Sequence, residues 1–113
     1  MHDEVNAHGA RFVVATLSKP EQVIPNAHQS SSFMSQIGVS TLFYPDERIK
    51  ALGTKEGFEV ITLAPEMQKY AQANKVFLHG FGSNIGNGHW NENGHRVASD
   101  LLAESICSNG LLK

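Results

Sequence analysis

The chain has a single cysteine, Cys107, among its 113 residues. No intrachain disulfide can form, and a cysteine-built zinc site is excluded. There is no basic excess either: 9 Lys and Arg stand against 11 Asp and Glu, a formal charge of −2. A general nucleic-acid binder needs a cationic surface to neutralise phosphates, so that partner class is not expected. No apolar stretch approaches the roughly 18 residues of a membrane span. Residues 1–10, MHDEVNAHGA, lack the apolar core of a signal peptide, which makes a cytoplasmic location the default expectation. What is present is the balance of an ordinary globular chain, 41% hydrophobic and 18% charged, which argues against disorder. The length suits one domain over 1–113 with a modest core.

Residues 1–10 are weakly helical at best, with Gly9 as a stop. Phe12-Val13-Val14-Ala15-Thr16-Leu17 is apolar on both faces and rich in β-branched residues, so it reads as a strand covered on both sides. Pro20 and Pro25-Asn26 mark a loop. Residues 27–37 form a short helix carrying Phe33, Met34 and Ile37. Val39–Tyr44 is a second short β-prone run. Pro45–Leu52 reads as a helix with Asp46 and Glu47 at its positive end and Gly53 as its stop. Residues 58–63 form another strand covered on both faces. Ala64-Pro65-Glu66 opens a helix with Met67, Tyr70 and Ala71 along one side. Residues 79–94 read as a long glycine-rich loop. A last helix from about Asn91–Asn93 to Cys107 carries Val97, Leu101, Leu102 and Ser105-Ile106, with Asn109-Gly110 as its end. Cys107 reads as a packing residue.

Strands alternating with helices imply a parallel sheet with crossover helices. Two convincing strands make a poor sheet alone, because each leaves an unpaired edge. The pattern therefore suits part of a larger α/β domain, or a chain that completes its sheet with another copy of itself.

The stretch that best suits chemistry is Gly86-Asn87-Gly88-His89-Trp90-Asn91-Glu92-Asn93-Gly94-His95-Arg96. A histidine in a glycine-rich loop before a helix can face a solvent-accessible site. A neighbouring carboxylate or amide can fix its tautomer and leave the other nitrogen free to take a proton. The structural alternative is a helix cap by Asn91 or Asn93, with His95 packed in the first turn. His79, His89 and His95 could in principle gather around a metal. Their spacings of ten and six match no tight ligand motif, so neither metal nor cofactor is expected.

The Asn87–Arg96 segment resembles the C-terminal motif of SGNH (GDSL-type) hydrolases, often Asp-Gly-His-Trp-Asn-x-x-Gly-His-Arg. Phe12–Leu17, Leu42-Phe43-Tyr44-Pro45-Asp46, Phe58–Leu63 with Ala64-Pro65, and Leu78-His79-Gly80-Phe81 are consistent with it. The resemblance covers nearly the whole chain and the C-terminal half of the family's domain. It implies a partial three-layer α/β/α sandwich with a parallel sheet, flavodoxin-like in arrangement, whose N-terminal half is absent. It places His89 at the catalytic base and Asn87 at the position of the aspartate that orients it. His95 matches a structural histidine, and Trp90 packs the loop onto the last helix.

Two departures bear on activity. There is no Gly-Asp-Ser motif, and Ser30-Ser31-Ser32 lacks the glycine turn of a nucleophile. Asn87 can hold an imidazole but cannot stabilise imidazolium by charge, and in a related triad that exchange costs about 10⁴ in turnover. The resemblance thus implies a serine ester hydrolase, acting on acyl-ester small molecules or acetylated saccharides, that is weak or inactive alone. The alternative is an inactive α/β module that self-associates or binds a partner, an N-terminal half included.

Overall fold

The computed structural model describes residues 2–7, 9 and 12–108. Helix α1 (His2–Ala7) precedes strand β1 (Val13–Thr16), a 3₁₀ turn (Pro20–Val23), and helices α2 (Ala27–Ile37) and α3 (Tyr44–Glu56). Strand β2 (Glu59–Thr62), α4 (Ala64–Asn74), a second 3₁₀ turn (Gly82–Asn84) and α5 (Glu92–Ser108) complete the order. The chain is mixed α/β, with β1 and β2 joined as a two-stranded parallel sheet. Val13, Val14, Ala15 and Thr16 lie opposite Glu59, Val60, Ile61 and Thr62. No helix among the described residues is long and apolar enough to cross a membrane.

Local chemistry accounts for the boundaries. Asn26 caps α2 by accepting the Gln29 backbone N–H at 3.0 Å. Pro45 and Pro65 sit in the first turns of α3 and α4, where a missing N–H costs nothing. Successive β2 residues Val60 and Ile61 are both buried, so that strand is covered on both faces as its apolar run requires. Ile61 joins Val23, Leu63, Met67, Ala71, Leu78, Val97 and Ala98 in one core cluster. That core lies between β2, α4, α5 and the first 3₁₀ turn.

Four expectations change. β1 is not covered on both faces: Ala15 is exposed and Val13 and Val14 are half-buried. Val39–Tyr44 is not a strand. It hydrogen-bonds to side chains and not to a neighbouring strand, with Thr41 Oγ1 accepting from the Phe43 N–H and the Leu42 carbonyl accepting from Gln22 Nε2. Tyr44 is then drawn into the first turn of α3. That helix also runs through Gly53 to Gly57. Gly53 is a point of close approach, where a Cβ would press on the Val60 side chain and the Phe58 carbonyl. Cys107 is exposed: it lies about 100° around the helix from Ile106 and so leaves the core-facing stripe. The expected stop at Asn109-Gly110 lies outside the described residues.

Candidate functional site

Parallel strands collect ligands beyond their carboxyl ends, where loops leave the sheet. β1 ends at Thr16, and the chain continues through Leu17 and Ser18 into the Pro20–Val23 turn. That turn is held by its own hydrogen bonds: Lys19 N–H donates to Gln22 Oε1 at 2.8 Å, and Gln22 N–H donates to the Lys19 carbonyl at 3.0 Å. The Gln22 amide then donates to Asp46 Oδ2 at 2.9 Å. Ser18 is thereby fixed just past the end of the strand, and it is buried.

The second wall is the loop between α4 and α5, which has defined structure. His79 and Trp90 pair as an isolated antiparallel bridge, with Gly80 N–H donating to the His89 carbonyl at 2.9 Å and Asn91 N–H to the Leu78 carbonyl at 3.0 Å. Gly80 has φ 87°, and a Cβ there would meet Gly86 N and the Asn87 carbonyl at under 3 Å. Only glycine suits this crossing. Asn91 is buried and ties the loop shut. Its Nδ2 donates to the Phe77 and Gly80 carbonyls, and its Oδ1 accepts from Gly94 N–H, which caps α5. Of the two candidate caps, Asn91 therefore does the capping.

These two walls bring Ser18 and His79 together across 61 residues of sequence. Ser18 Oγ lies 3.0 Å from His79 Nε2, and His79 Nδ1 lies 2.7 Å from the Gly88 carbonyl. A carbonyl can only accept, so Nδ1 carries the proton and Nε2 is the acceptor. The serine hydroxyl must then donate to Nε2, while Trp90 Nε1 donates to Ser18 Oγ at 2.8 Å. The chain of donors has one direction and leaves no member unpaired. Burial holds the His79 imidazole below its ordinary pKa and outweighs the Gly88 hydrogen bond and nearby Glu21, which act upwards; the neighbouring His89 also lowers it.

An open cleft of about 540 Å³ runs over this pair, with Leu17, Pro20 and Trp90 as apolar lining and Lys19, His89 and His95 as polar lining. His89 is exposed at the rim. Asn87 is also exposed, and among the described residues its side chain makes no hydrogen bond to the His89 ring. His95 is exposed in the first turn of α5 and stacks edge-on against Trp90 at 5.5 Å. Ser30, the buried member of the serine triplet, lies elsewhere on α2 against Gln68. No group of three or more His, Cys, Asp and Glu among the described residues is placed to hold a metal ion.

The sequence places His79 in the 79–94 loop without a catalytic role, and no motif in it marks Ser18. Each has a signal of its own. Ser18 stands two residues past a strand, and His79 follows Leu78, an apolar residue buried in the core. Set against known proteins, the chain matches no family model, no curated protein and no solved structure.

Proposed function

We propose that this chain is the C-terminal part of an SGNH-type serine ester hydrolase domain. In this reading its two-stranded sheet and flanking helices form part of a three-layer α/β/α sandwich. The observation that supports ester chemistry is the cleft beyond β1, where a buried serine hydroxyl lies beside one imidazole and a second imidazole stands at the rim. Hydrolysis of an ester needs an acceptor for the proton of the attacking oxygen and a donor for the departing one, and an imidazole with one free nitrogen serves both. By the resemblance that imidazole is His89. The substrates are small acyl esters or acetylated saccharides, with Leu17, Pro20 and Trp90 as apolar surface for the acyl group. Turnover of p-nitrophenyl acetate by the purified chain, above the rate of free imidazole at equal concentration, tests the reading. A rate equal to that background, both for the chain alone and after addition of a half that carries Gly-Asp-Ser, removes it.

A second reading has its own observation. Leu17, Ile37, Val39, Tyr44, Ile49, Leu52, Phe77, Phe81 and Ile85 are all exposed. An inactive α/β module that covers this surface by self-association, or against an N-terminal half, would explain it. Sedimentation velocity at micromolar concentration checks this, and a monodisperse monomer contradicts self-association.

A further inference from the structure

We propose that Ser18 is the acyl-accepting nucleophile of this cleft and that His79 is its general base. The inference rests on the ester-hydrolase part of that reading and changes two assignments within it: the nucleophile is Ser18 of this chain and not a Gly-Asp-Ser serine, and proton transfer falls to His79, not His89.

Three observations carry it. The Oγ–Nε2 distance of 3.0 Å is that of a nucleophile and its base. The Gly88 carbonyl at 2.7 Å holds the ring in the tautomer that leaves Nε2 able to accept. Trp90 Nε1–H donates to Oγ, so that oxygen accepts from the indole and its own proton points at the imidazole. A backbone carbonyl here takes the orienting part that an aspartate plays in the Ser-His-Asp arrangement. It fixes the tautomer but carries no full charge, so the imidazolium is less stabilised and a slow enzyme is expected.

The step balances with water as the only co-reactant. Ser18 Oγ attacks the ester carbonyl carbon as its proton passes to His79 Nε2. The carbon–oxygen bond to the alcohol breaks, and Nε2 returns the proton to the departing oxygen. Water then attacks the acyl-Ser18 ester and gives its proton to Nε2. Collapse of that intermediate releases the carboxylic acid, and Ser18 Oγ regains the proton.

The test uses the full chain, diisopropyl fluorophosphate and p-nitrophenyl acetate, with intact mass and peptide mapping. The expected result is one adduct on Ser18, absent in Ser18→Ala and formed at least about tenfold more slowly in His79→Gln. Circular dichroism establishes that both variants are folded. Should His79→Gln unfold, Ser18→Cys replaces it as the test. A thiol beside His79 should react with iodoacetamide well below the ordinary cysteine pKa of about 8.5, and a thiol reacting only near that value overturns the pairing.

Ester turnover that survives in Ser18→Ala overturns this inference and leaves the hydrolase reading standing. The same holds for an adduct that maps to another residue. An adduct lost in His89→Ala but kept in His79→Gln returns the base to His89. A folded wild-type chain with neither adduct nor turnover removes the inference, and the hydrolase reading falls with it only if addition of a half that carries Gly-Asp-Ser also gives no turnover.

Discussion

Helix α4 buries Ala64, Met67 and Ala71 completely, whereas the 13-residue α3 buries only Asp46 and Gly53. The two helices flank the same strand and are held in opposite ways. α4 and α5 bring apolar side chains into one cluster with Ile61, Leu63 and Leu78. α3 is held by a carboxylate that accepts from Gln22 and by a glycine that lets its backbone approach β2, while Tyr44, Ile49 and Leu52 face outward. Apolar burial contributes most of a fold's cohesion, so the α4–α5 side should form the last region to open and α3 an early one. The cleft belongs to the cohesive side. Its loop is anchored by Leu78 and Asn91, so the Ser18–His79 pair rests on the best-packed part of the molecule.

The sharpest way to break this contrast is to empty the core under α4. Met67→Ala should cost about 3 kcal/mol, within the usual range for a fully buried methionine. Urea midpoints measure it. A loss under about 1 kcal/mol would mean that the α4 side is no better packed than α3.

Asn91→Ala should follow, at about 2–3 kcal/mol. It removes the donor of the Phe77 and Gly80 carbonyls and leaves the buried Gly94 N–H without its cap. The expected signature is faster hydrogen exchange at Gly80 and Gly94 with the α4 amides still protected. Uniform loosening of the whole chain would show that the loop and core are one cooperative unit.

How far this could be read beforehand follows the same division. β2, α4 and α5 were legible because their apolar residues recur at the period of a buried element, and Met67, Ala71 and Val97 fall where that period puts them. Val39–Tyr44 has strand-like residues, yet hydrogen bonds to Thr41 and Gln22 decide its path, and those partners leave no periodic trace. The strand before Ser18 was legible too, but the Ser18–His79 pair depends on contacts 61 residues apart. His89 and Asn87 stood out through their local motif. His79 acquired its place through Asn91 and Gly80, which shape the loop around it.

Acid should bear on the cleft through His79. Its folded pKa lies below the ordinary 6.5, chiefly through burial. Between those two values the unfolded chain binds more protons than the folded one, so stability rises with pH across that window. This contribution is complete above the ordinary value and is lost as pH falls towards the folded one. Glu21 reduces the effect and His89 adds to it. Urea midpoints at about pH 7.5 and about pH 5 should therefore fall further in wild type than in His79→Gln. Equal falls would show that His79 does not contribute to the pH dependence.

The smallest effect is expected at Leu52, which is 49% exposed on α3. Leu52→Ala removes little buried area in the isolated chain and puts a strong helix former in the helix, so stability should move by less than about 0.5 kcal/mol. The value of this variant lies in its dependence on protein concentration. If α3 faces water in solution, the change stays small at every concentration, and the weak packing of α3 is a property of the single chain. If the α3 face is covered by another copy, wild type gains stability with concentration by mass action and Leu52→Ala loses that gain. A shift that grows with concentration would show that the contrast between α3 and α4 holds only for the chain alone, and that the outward apolar face is the part of the fold that assembly completes.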